Sequence, residues 1–120
     1  MDKSLVGIVI DPGHGGSDSG ALGNNLKEKD YNLMISKYMY DRFKELGIPV
    51  ALTRDSDKTL APNERTNLVL DAFGNNPNVV VVSNHLNAGG GEFTYHYIIC
   101  LGIRILKFKK CIKNNAKTYF

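Results

Sequence analysis

Four consecutive valines, Val79 to Val82, leave this chain few options. β-Branched side chains lose rotamer freedom in a helix and pack well on a pleated surface. An unbroken run of them has no face to turn to water, so it fits a strand covered on both sides, as in a parallel sheet flanked by helices. Leu5 to Ile10 is a second run of this kind, and Ile48 to Thr53 reads as another strand. Two helical stretches lie between these strands. Leu26 to Leu46 carries Tyr31, Ile35, Tyr38, Met39, Phe43 and Leu46 on one stripe, and Gly47 is placed to end it. The second stretch starts at Pro62-Asn63, uses Leu68, Val69, Ala72 and Phe73 as its apolar face, and stops at Gly74-Asn75-Asn76-Pro77. Strands alternating with helices over short links predict an α/β fold, a three-layer sandwich with a mainly parallel twisted sheet between helices.

In such a sheet the loops leaving the C-terminal ends of the strands share one edge, where α/β folds place their sites. His14 follows the first strand inside a glycine-rich loop, Asp11 to Asn25, and His85 follows the valine strand. Glu28 opens the first helix three residues before Tyr31, which aims its carboxylate toward the sheet. Two imidazoles and a carboxylate converging there suit a zinc site with one position left for water. Each residue also has a plainer reading. His14 fits a polar turn, Glu28 fits a capping box with Asn25 as N-cap, and His85 fits a core-edge histidine. The conjunction on one edge favours the metal. Other readings of the loop fail on its own residues. "GHGGSDSG" lacks the Lys-Ser/Thr ending of a phosphate loop, and Asp18 stands where a dinucleotide fingerprint needs glycine. Neither Ser17 nor Ser19 lies in a strand–turn–helix nucleophile elbow.

The segments "IVIDPGHGGSDSGALG", "KEKDYNL", "VALTRDSD", "NERTNLVLDA" and "VVVVSNHLNAGGGE" resemble, in order and spacing, the zinc-dependent N-acetylmuramoyl-L-alanine amidases of autolysins and phage endolysins. The resemblance spans roughly residues 5–92. It implies Zn2+ on His14, Glu28 and His85, peptidoglycan as partner, a substrate contact at Asn87, and hydrolysis of the amide joining N-acetylmuramic acid to L-alanine. It also implies a late glutamate as general base and acid, but no acidic residue follows Glu92. The catalytic acid/base residue is therefore unassigned. An alternative function is a catalytically impaired fragment that binds zinc and cell wall.

Charge divides the chain at that same point. Residues 1–92 hold nine lysines and arginines against all twelve acids, a net of −3, whereas residues 93–120 hold six basic residues and no acid. The expected organisation is an amidase core over 1–92 and a basic tail over 93–120, with the fold incomplete at its C-terminal end and Phe93 to Ile99 able to form a strand. The tail's Ile, Lys, Asn, Tyr and Phe are what a frame change in AT-rich coding sequence produces. The overall +3 is a +6 tail set against a −3 core, which argues against a nucleic-acid partner. The two cysteines, Cys100 and Cys111, exclude a disulfide framework for the core. No signal peptide or membrane span is legible, since the apolar stretch Tyr97 to Leu106 is far shorter than the ~20 residues a span needs. The expectation is a monomer acting on the bacterial cell wall, outside the cell or released during lysis.

Overall fold

The apolar run near the N-terminus becomes β1, Gly7–Pro12, and every residue of it is buried. In the computed structural model, the described backbone comprises residues 4–89, 92–101 and 104–109, with side chains described for 4–86. The chain continues through a two-residue hairpin, β2 (Leu22–Gly23) and β3 (Leu26–Lys27), into α1 (Glu28–Glu45). β4 (Val50–Leu52), α2 (Pro62–Phe73) and β5 (Val79–Gly89) follow. β6 (Glu92–Leu101) and β7 (Arg104–Lys109) complete the described elements.

The main sheet has the order β4-β1-β5-β6-β7. β1 pairs in parallel with both β4 and β5, whereas β5–β6 and β6–β7 are antiparallel. The expected α/β sandwich is therefore present, with antiparallel strands added on one side. Alternation along β1 assigns the two faces. Ile8 and Ile10 pack with Val82 against Met39, Tyr40 and Phe43 of α1. Gly7 faces the opposite way, where a β-carbon would stand 2.7 Å from the ring of Phe73 on α2. Ile10 has no exposed surface. Shortening it in Ile10→Val should cost about 0.5–1.5 kcal/mol, measurable by urea unfolding, and a wild-type midpoint would contradict this packing.

Several boundaries differ from expectation for physical reasons. Leu5 lies outside β1 and is 43% exposed, because pairing partners begin only opposite Gly7 and Ile8. β4 is shorter than its apolar run, ending where Thr53 turns its hydroxyl to Asp11. The supposed apolar stripe of α1 is not what it buries near the sheet edge. Tyr38 and Leu46 are exposed, and Glu28, Lys29, Asn32 and Ser36 are buried instead. The helix does stop at Gly47, whose φ of 72° lets its amide bond Lys44 and the Ile48 amide bond Phe43. β5 runs on past the valines to Gly89, because β6 supplies a ladder from Val80 to Gly89. Of the basic tail, residues 102, 103 and 110–120 lie outside the described residues.

Candidate metal centre

Beyond Pro12 the chain leaves the sheet and closes a tight loop in which Gly15 and Asp18 exchange backbone bonds of 2.9 and 3.1 Å. His14 itself, between two glycines, takes a φ of 60°. That left-handed conformation is uncommon for a residue with a β-carbon and marks a position the surroundings must hold. Gly13 must be glycine for a different reason, since a β-carbon there would collide with the imidazole of His85. At Gly20 (φ 64°) a β-carbon would stand 2.6 Å from the His14 ring and 2.8 Å from the Glu28 carboxylate.

The parallel pairing of β1 with β5 ends at Pro12 opposite Asn84. His85 is thus the first residue past the parallel ladder, although β5 itself continues. Glu28 is the first residue of α1, but not as half of a capping box. The N-cap is Lys27, with no side-chain cap bond. The Glu28 carboxylate instead reaches into the sheet edge, accepting the Leu86 amide on Oε1 and the Ala21 amide on Oε2, each at 2.8 Å. Asn32, one turn on, donates to the same Oε1 at 3.3 Å and to the Gly13 carbonyl at 3.2 Å.

These placements bring His14, Glu28 and His85 together, as their positions on one edge predict. His14 Nε2 lies 3.1 Å from Glu28 Oε1 and 3.2 Å from His85 Nδ1, and His85 Nδ1 lies 3.3 Å from Glu28 Oε1. The carboxylate side chain is 2% exposed and the imidazoles 24% and 27%, so the cluster has a closed floor and an open side. His14 Nδ1 is engaged by Asp18 Oδ2 at 2.8 Å, which directs Nε2 toward the cluster. That bond, and secondarily the Gly20 amide, holds the Asp18 carboxyl below the usual carboxylate range. Burial pushes the His85 imidazole below the ordinary histidine range, with the neighbouring His14 adding to the effect and Glu28 opposing it. The neutral, ligating form of His85 is thereby favoured. The side chain of Asn87, two residues further along β5, lies outside the described residues.

Sequence reasoning did not identify the residues that surround this cluster. Arg54, Arg65 and Asn32 all bond the loop that carries His14. Asp57 accepts from the Gly16 amide (2.7 Å) and from Lys29 Nζ (2.7 Å), latching that loop to the segment after β4. The available signal was position, because Arg54 follows a strand end on the same edge as His14.

A family profile described as N-acetylmuramoyl-L-alanine amidase matches residues 8–118. The sporulation-specific N-acetylmuramoyl-L-alanine amidase of Bacillus subtilis strain 168 is 40% identical over 98 residues, covering 78% of this chain and 36% of that protein. The uncharacterized protein YqiI of the same strain is 44% identical over 82 residues, covering 68% of this chain and 38% of its own length. This chain thus spans little more than a third of these curated relatives. Among solved structures, N-acetylmuramoyl-L-alanine amidase AmiC2 of Nostoc punctiforme matches with a TM-score of 0.63 at 34% identity, covering 74% of this chain and 48% of that one.

Proposed function

The chain belongs to the N-acetylmuramoyl-L-alanine amidase family, and from that premise we propose that it hydrolyses the amide between N-acetylmuramic acid and L-alanine in peptidoglycan, using zinc held by His14, Glu28 and His85. One observation carries the reading. The three donor atoms form a triangle with sides of 3.1, 3.2 and 3.3 Å. Tetrahedral zinc, with ligand bonds near 2.0–2.1 Å, needs donor atoms about 3.3 Å apart. The donor chemistry agrees. Two imidazole nitrogens and a carboxylate oxygen facing one another are the kind of donor set that zinc takes.

Zinc bound there would polarise an amide carbonyl and lower the pKa of a water toward about 7. The chain's own residues do the rest. Asp18 fixes the His14 tautomer, and the Leu86 and Ala21 amides hold the Glu28 carboxylate in place. The open side beside the two imidazoles admits substrate. The site of action is the cell wall, and residues 1–92 form the unit that carries the reaction. Among the described residues no helix is long and apolar enough to cross a membrane.

Residues 93–120 hold no acidic side chain, and a second reading is a zinc-dependent wall binder with impaired turnover. Purified cell walls separate the two. The amidase should lower turbidity and release new amino groups on L-alanine, a chelator should stop both, and added zinc should restore them. Wall binding by the zinc-loaded protein without new alanine amino groups would select the second reading.

A further inference from the structure

We propose that Arg54 is the positioning residue that sets the spacing between His14 and Glu28, so that the metal site is built before metal arrives. The inference rests on the zinc reading above. Arg54 follows Thr53 at the end of the short edge strand and is 3% exposed. Its donors go to backbone carbonyls. Nε bonds Pro12 (3.1 Å), Nη1 bonds Ser56 (3.0 Å), and Nη2 bonds both Gly13 (2.9 Å) and Lys29 (3.0 Å). Gly13 precedes His14, and Lys29 follows Glu28. One guanidinium nitrogen therefore ties the peptide before one ligand to the peptide after the other. The group is planar and rigid, so the separation it imposes does not depend on a flexible stem.

Arg65 completes the hold on the loop. Its Nη1 donates to the Pro12 carbonyl at 2.8 Å and its Nη2 to the His14 carbonyl at 3.2 Å. Three successive carbonyls, Pro12 to His14, are thus fixed by two guanidinia, which hold the left-handed turn at His14. Burying a cation among carbonyls is costly, and a single fold-stabilising contact would not need this fork. A lysine can reach some of these carbonyls from its single nitrogen but cannot present the planar fork that spans all four.

The test is a zinc competition titration of the full chain, comparing wild type, Arg54→Lys and the control Arg42→Lys. Arg42 makes an exposed pair with Glu45, far from the loop in sequence. Arg54→Lys should bind zinc about 10–100-fold more weakly, the usual cost of losing an outer support of a metal ligand, while Arg42→Lys stays at wild type. A merely structural role would lower the melting temperature of Arg54→Lys but leave the zinc affinity of the folded protein unchanged, and that outcome overturns the proposal. Hydrogen exchange of the wild type decides the matter if the variant does not fold. The Gly13, Gly15 and Lys29 amides, bonded to Asn84, Asp18 and Ser19, should exchange within about tenfold of their zinc-loaded rates when zinc is absent. A larger loss of protection would mean that the metal assembles the site, which also overturns it. A wild type that binds no zinc refutes the metal reading itself, an outcome distinct from unchanged affinity in the variant.

Discussion

Replacing His14 with alanine, or Glu28 with glutamine, should abolish stoichiometric zinc and bring cell-wall amide cleavage to background. The loss should exceed the about 10–100-fold that outer-shell changes cause, because a first ligand is removed. The two variants differ usefully. His14→Ala deletes an imidazole that is a quarter exposed and leaves the buried floor intact, so the fold should survive. Glu28→Gln keeps the shape but turns one accepting oxygen into a donor, opposite the Leu86 or Ala21 amide that the carboxylate now satisfies. It should lose zinc and also some stability, since an orphaned buried donor costs about 1–3 kcal/mol. Elemental analysis of the purified variants reads the first effect and thermal unfolding the second. One tightly held zinc in folded His14→Ala would refute its assignment as a ligand.

Asp11→Ala should be the most damaging change away from the cluster. Asp11 is 6% exposed and accepts from Arg65 Nη1 and Thr53 Oγ1, both at 2.6 Å, and from Ser83 Oγ at 3.1 Å. Those partners come from α2, the end of β4 and β5, so one carboxylate joins three elements on the face opposite α1. Its removal leaves a partly buried guanidinium without its counter-charge and a buried hydroxyl without an acceptor. Breaking one side of such a pair costs about 3–5 kcal/mol, against a total stability of about 5–15 kcal/mol for a domain. The melting temperature should fall by roughly 10–25 °C. A shift below about 4 °C would show that the network contributes little.

The apolar strands were legible because continuous burial needs continuous apolar residues. Ile8 to Ile10 and the four valines mark β1 and the first half of β5, and Gly47 marks the end of α1. The three clustered side chains were legible because topology alone puts their positions on one edge. Polar residues with buried roles were not. Asn32, Ser36 and Asn84 are fully buried, and Asn84 donates to the Asn32 carbonyl and to Ser36, so the helix meets the sheet edge through amides and a hydroxyl. A period-3.6 reading scores only apolar residues, and it therefore assigned Tyr38 to the core although its side chain faces solvent. Arg54 was hidden similarly, since an arginine in a polar loop reads as solvated until the carbonyls around it are seen.

The parallel partnership of β1 has a consequence in time. Gly7 pairs with Val79 and Pro12 with Asn84, so the side chain of Asp11 waits for a partner, Ser83, lying 72 positions downstream. Ribosomes add about 5–20 residues per second, which puts those partners roughly 4–14 s apart in synthesis. For the first part of that interval β1 has no neighbour, and once Val50–Leu52 is made it has β4 on one side and nothing on the other. His85 arrives one residue after the last of these pairings, so the third member of the His14–Glu28–His85 cluster joins the other two only as that strand is enclosed.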